Sequence, residues 1–273
     1  MVEIHYLDTF DLPELEPYRS LRRRKDMQRE HLFVAEGSKV IRRLLDSPYA
    51  YGLVSFLMTP EWLEELRLEL EMRPEQIQVY VTDKKGIEQI IGHSSYQGVK
   101  VFAKVLNPPD LETVLEGSSS PRLFVACDGL ANAENMGTVV RNSAAFGADA
   151  LLIGETSFSP FLTRTIRASM GTVFDLPAVH LDNLVDRLKD LKWKGFQVLG
   201  AHPHTDRKTI AQADYSGDVC IVLGSEGHGI SEAVQAVCHE LVAIPMSGNV
   251  DSLNVGSSVA VFLYEVARQR GRM

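Results

Sequence analysis

Cysteine is scarce in this sequence: 273 residues contain only Cys127, Cys220 and Cys238. An odd, widely spaced set offers neither a disulfide framework nor a zinc pattern. We expect three buried thiols, because free cysteine packs as a small hydrophobe. Long apolar runs are also missing, and none approaches the roughly 18 residues that would cross a bilayer. The first twenty residues are acidic and interrupted by Pro13 and Pro17, which is not the pattern of a signal peptide. These absences point to the cytoplasm. The eight histidines are scattered without ligand spacing, so no metal is expected. His202 and His204 flank Pro203 and read as structural or loop residues. Positive charge is in deficit, with 28 lysines and arginines against 36 carboxylates and a net charge of −8.

That deficit is uneven. Between Arg19 and Arg43 nine basic residues stand against three acidic ones, and Arg22, Arg23, Arg24 and Lys25 form the densest part. Screening confines each charge to roughly 8 Å in physiological salt, so a local patch can hold phosphates on an acidic chain. These four residues are the candidate nucleic-acid contacts. The remaining composition, 45% hydrophobic and 23% charged, is that of an ordinary globular protein. The length suits two domains.

A boundary falls where Asn107-Pro108-Pro109-Asp110 is followed by Glu116-Gly117-Ser118-Ser119-Ser120-Pro121. Such residues continue neither a helix nor a central strand. The expected organisation is a domain of 1–106, a linker of 107–120 and a domain of 121–273. Before the linker, strands at His31–Glu36, Val54–Met58, Gln78–Val81 and Gly98–Val105 alternate with helices at Gly37–Asp46, after Thr59 and at Asp83–Ile91. This is a small α/β sandwich. After the linker, strands at Leu123–Cys127, Ala150–Ile153, Gln197–Ala201, Val219–Leu223 and Leu241–Ile244 are apolar throughout. Helices at Asn135–Phe146, Phe161–Ser169, Leu181–Lys194, Ile230–Val237 and Ser252–Arg270 separate or follow them. That alternation predicts a mostly parallel sheet covered on both faces.

Three segments in the second half lie at strand exits, where open α/β sheets place ligands. After the first strand, Asn135, Gly137 and Thr138 mark a helix start with N–H groups that attract anions, and Arg141 and Asn142 follow. A capped helix with a solvated arginine would look the same in isolation. Next, Leu223-Gly224-Ser225-Glu226-Gly227-His228-Gly229-Ile230-Ser231 lets backbone approach a ligand. It lacks the G-x-G-x-x-G spacing and does not follow the first strand, which argues against a nicotinamide enzyme and against unknotted methyltransferases. Finally, Ile244-Pro245-Met246 leads through Gly248 to Asp251-Ser252-Leu253-Asn254-Val255, with polar groups at a helix N-terminus.

In this order the three segments resemble the motif set of the SpoU (TrmH-like) branch of the SPOUT RNA methyltransferases, across residues 121–273. The N-terminal half resembles the small substrate-binding domain, akin to a ribosomal RNA-binding protein, that precedes many members. Its cues are Phe33-Val34-Ala35-Glu36-Gly37 and Gln97-Gly98-Val99. The resemblance implies a trefoil knot in the C-terminal domain, one of the rare exceptions to unthreaded chains. It implies S-adenosylmethionine bound largely by backbone at Gly224, Ile244 and Leu253, with Leu223, Gly229 and Met246 as neighbours. It implies methyl transfer to a ribose 2′-hydroxyl served by Arg141, with Asn135 orienting the hydroxyl or Arg141. Glu226, Ser252 and Asn254 would complete the polar pocket. A homodimer packed through the knot is expected. Asn142 stands where threonine is commoner, Asp251 replaces the usual glutamate, and Gly256 replaces a serine or alanine. The substrate implied is ribosomal RNA, 23S-like, with transfer RNA as the nearest alternative. A non-catalytic RNA-binding or ribosome-assembly protein on the same fold is a further reading, opposed by the intact set Asn135, Arg141, Glu226, Ser252 and Asn254.

Overall fold

The computed structural model describes residues 1–19, 30–49, 51–94, 97–203, 207–247 and 250–272. They form two units, Met1–Pro108 with Phe161–Phe174, and Pro109–Pro160 with Asp175–Met273.

The first unit runs β1 (Val2–Tyr6), α1 (Glu16–Arg19), β2 (Leu32–Glu36), α2 (Ser38–Leu45), β3 (Tyr51–Met58), α3 (Pro60–Glu71), β4 (Ile77–Val81), α4 (Lys84–Ile91) and β5 (Val99–Val105). Its sheet has the order β1-β4-β3-β5-β2. β1 and β3 lie parallel to β4, while β5 is antiparallel to β3 and β2. Local chemistry sets the helix ends. Pro60 opens α3, where its missing N–H costs nothing. The Asp83 carboxylate caps α4 by accepting from Gly86 N at 2.7 Å, and Gly92 ends it in the left-handed conformation. β1 is a strand that the sequence reading does not anticipate. Its pairing with β4, Val2 opposite Ile77, is a long-range contact with no local signal.

Residues 161–174 also belong to this unit. Phe161 and Phe174 pack on Phe33 and Tyr51, with ring centroids 5.2–6.3 Å apart. Glu36 is buried and receives Lys100, also buried, together with Arg167 Nη1 at 2.9 Å. Burial alone would raise the Glu36 carboxyl. The hydrogen bond and charge of Lys100, joined by Arg167, outweigh burial and hold it below the usual range.

The second unit runs α5 (Leu111–Gly117), β6 (Leu123–Asp128), α6 (Ala133–Ala145), β7 (Ala150–Ile153), β8 (Ala178–His180), α8 (Leu184–Trp193), β9 (Gln197–His202), β10 (Lys208–Thr209), β11 (Val219–Gly224), α9 (Glu232–Gln235), β12 (Glu240–Ala243) and α10 (Val255–Gln269). Between β7 and β8 the chain forms α7 (Thr163–Ala168), which is part of the first unit. The sheet order is β10-β12-β9-β11-β6-β7-β8, and every neighbouring pair is parallel. The chain therefore has the expected α/β fold with a mostly parallel sheet. One face of the sheet, including Phe124, Leu152, Val198 and Val222, packs on Leu184, Leu188 and Leu191 of α8. Each fully buried leucine contributes roughly 1.5–3 kcal/mol.

The stretch expected as linker is partly helical. Asp110 caps α5 through Thr113 N at 2.7 Å, and Leu111, Val114 and Leu115 are buried in the same core. The flanking prolines, glycine and serines end this helix but do not prevent it. Several helices are shorter than expected, α9 and α10 among them. α9 spans four residues because Gly229 is held in a hairpin and Ser231 N is bound by Asp128. α10 begins at Val255 because Asn254 caps it, leaving 252–254 outside the helix. The cysteines are free; Cys127 and Cys220 are buried, while Cys238 is half-buried rather than fully enclosed. Burial pushes all three thiols up, Cys238 to about 11.

Candidate active site

Because the strands are parallel, their C-terminal ends emerge on one edge. β6, beside the central β11, continues through α6 to β7 on one side, while β11, β9 and β12 lie on the other. This is the reversal point where such sheets open a crevice.

At the exit of β11, Ser225 and Gly229 exchange backbone hydrogen bonds of 3.0 and 2.9 Å. The chain returns so closely that a Cβ on Gly224 would lie 2.0 Å from the Gly229 carbonyl carbon and 2.1 Å from Ile230 N. Only glycine fits there. Asp128, at the end of β6, accepts from Ser231 N at 2.7 Å and fixes the far end of the loop. At the exit of β12, Ile244 and Met246 lead toward Asp251–Asn254. The Asn254 side chain accepts from Gly256 N at 2.8 Å and caps α10.

These exits and that of β9 enclose a cavity of about 540 Å³, within the range that takes a cofactor-sized molecule. All six residues expected around the donor line it: Leu223, Gly224, Gly229, Ile244, Met246 and Leu253. Glu226, Ser252 and Asn254 line it too. Its apolar walls and exposed backbone suit a flat heterocycle that stacks on one face and hydrogen-bonds along an edge. His202, read from sequence as a structural or loop residue, ends β9 and lines the same space beside Pro203. Its separation from the motifs in sequence hid that placement.

Asn135 and Arg141 lie outside the cavity lining, on α6. The helix starts two residues earlier than expected because Asn132 caps it, accepting from Glu134 N and Asn135 N at 2.9 and 3.0 Å. The Asn135 N–H is therefore not free for an anion. Its side chain is engaged at both ends: Nδ2 donates to Glu226 Oε1, and Oδ1 accepts from Asn254 Nδ2 at 2.9 Å. Asn135 thus ties the β11 loop to the α10 start. Arg141 is exposed and has no hydrogen-bond or ion-pair partner among the described residues. Sequence reasoning missed Asp128 as a loop anchor. A carboxylate directly after an apolar strand was the available signal.

Arg22, Arg23, Arg24, Lys25, His204 and Gly248 lie outside the described residues. Among the described residues no group of three or more His, Cys, Asp or Glu is placed to hold a metal ion, and no helix is long and apolar enough to cross a membrane.

Residues 122–264 match the SpoU rRNA Methylase family. The chain belongs to that family. Over 203 residues it is 31% identical to a 23S rRNA (guanosine-2'-O-)-methyltransferase RlmB from Photobacterium profundum, covering 73% of this chain and 82% of that protein. Among solved structures, an rRNA methyltransferase from Sinorhizobium meliloti superposes with a TM-score of 0.82 at 24% identity, over 98% of each chain. An AdoMet-bound rRNA methyltransferase from the same organism gives 0.80 at 23% identity, over 97% of this chain and 98% of that one. At these identities the likeness establishes the fold across both units of this SpoU-family chain.

Proposed function

We propose that this SpoU-family chain is an RNA methyltransferase that moves a methyl group from S-adenosylmethionine to a ribose 2′-hydroxyl of ribosomal RNA, 23S-like. The observation that carries this reading is the cavity of about 540 Å³, in which the residues expected around the donor converge while Arg141 stands outside it. The cavity residues fit the donor: backbone at Gly224, Ile244 and Leu253 with apolar Leu223 and Met246 for the adenine end. When bound, S-adenosylmethionine supplies an electrophilic sulfonium methyl. The chain's own work lies on the acceptor side. Arg141 offers a planar guanidinium with several N–H donors. It binds the phosphate beside the target ribose and stabilises the oxyanion that develops as the 2′-hydroxyl loses its proton, with phosphate or water taking that proton. Asn135 holds Glu226 and Asn254 in place around the pocket. The family's trefoil knot belongs to this reading of the second unit. The unpaired state of Arg141 among the described residues supports a homodimer in which it serves a partner's site. Residues 1–106 act as the RNA-binding domain, with 121–273 as the methyltransferase domain, and the working compartment is the cytoplasm.

The test is incubation with methyl-labelled donor and either 23S rRNA or transfer RNA, followed by alkaline hydrolysis. Label in alkali-resistant dinucleotides from rRNA is expected, since a 2′-O-methyl blocks strand cleavage. Label in transfer RNA alone would reassign the substrate, and calorimetry showing no affinity for S-adenosylmethionine or its demethylated product would overturn the reading.

A further inference from the structure

On α6, Asn135, Thr138 and Asn142 are spaced i, i+3 and i+7 and share one face. All three meet the start of α10. Asn135 binds Asn254. Thr138 approaches so closely that a Cβ on Gly256 would lie 2.5 Å from its Cγ2. Asn142 Nδ2 donates to the Gly256 carbonyl at 2.7 Å, so Gly256 is held at both backbone ends, its N–H by Asn254 and its carbonyl by Asn142. Ser252, Leu253 and Asn254, immediately upstream, form a wall of the cavity. Asn142 does not touch that cavity.

We propose that Asn142 is a positioning residue for the donor cavity. This rests on the reading that the cavity holds S-adenosylmethionine. Gly256 lets α6 and α10 close to contact but brings no side chain to key one helix against the other. A glycine crossing fixes distance without fixing register. The Asn142 hydrogen bond supplies the register, because such a bond weakens steeply away from linearity. It locks the first turn of α10, and with it the wall at 252–254, onto the helix that carries Arg141. The two departures from the SpoU pattern at 142 and 256 are therefore one contact.

The experiment measures binding of S-adenosylmethionine and of its demethylated product by calorimetry, with thermal unfolding as a check on folding. Asn142→Asp keeps shape and volume but removes the donor, and should weaken affinity about tenfold. Asn142→Ala should weaken it about fivefold, and it serves alone if the aspartate variant does not fold. Asn142→Thr, which keeps a hydroxyl donor, should stay within about threefold of wild type. A role in packing alone predicts the opposite order, with aspartate tolerated. Wild-type affinity in both the Asp and Ala variants, or equal losses for Asp and Thr, overturns the proposal. A wild-type chain that binds neither ligand overturns the functional reading and this inference with it. A wild-type chain that binds, with Asn142 variants that bind equally well, overturns the inference alone.

Discussion

Arg141 and Gly224 are expected to matter to this site in two different ways. Arg141 is exposed and unpartnered among the described residues, and it lies outside the cavity lining. Its removal should therefore spare the donor. Arg141→Ala is expected to lower single-turnover methyl transfer by a factor of about 100 or more, while donor affinity measured by calorimetry stays within twofold. A matching loss in both would place Arg141 on the donor side instead. Gly224 acts through absence. Any side chain there meets backbone at 2.0 Å, and backbone cannot swing aside as a flexible side chain would. Gly224→Ala should cost about 2–3 kcal/mol in urea denaturation and abolish measurable donor binding, because the β11 exit and the returning loop must separate.

The final helix is anchored at both ends by side chains bonded to backbone. At its start Asn254 and Asn142 hold Gly256. At its end the Arg270 guanidinium donates to the carbonyls of Pro121, Arg122, Tyr215 and Gly217 at 2.6–2.9 Å. One planar fork thereby ties α10 to the entry of β6 and to the chain that leads into β11. Replacing Arg270 by alanine strands four carbonyls, and a loss of about 3 kcal/mol is expected from denaturant midpoints. A loss under about 0.5 kcal/mol would mean that water serves those carbonyls equally well. α5 carries a different lesson. Its apolar spacing at Leu111, Val114 and Leu115 and its Asp110 cap are visible in the sequence, yet the prolines and serines around them dominate a composition-based reading. Composition marks where a chain can break, whereas capping and spacing decide where a helix can persist.

For the molecule as a whole, a net charge of −8 sits uneasily with an RNA substrate unless positive charge is concentrated. Reversing Arg22, Arg23 and Arg24 to glutamate should weaken rRNA binding and flatten the dependence of log affinity on log salt. An unchanged slope in a filter-binding salt series would make that segment a solvated face. The strand and helix alternation of both halves, the parallel sheet and the residues that line the cavity were legible from the sequence. Apolar runs bounded by glycine, and capped amphipathic helices, are local patterns that chain chemistry imposes by itself. The motif order sufficed to bring Leu223, Gly229, Met246 and Leu253 into one group. Other features depend on residues far apart in the chain. These are the β1 pairing, the passage of 161–174 into the first unit, His202 at the cavity, Asn135 bonded to both Glu226 and Asn254, and the Asn142–Gly256 contact. None leaves a periodic signal, because each is a distance between segments set by the packing of other elements. The sequence by itself determined which chemical groups the site would have; tertiary structure decided which of them face the cavity and which hold its walls, since hydrogen-bond partners far apart in the chain are chosen by the packed helices and sheet.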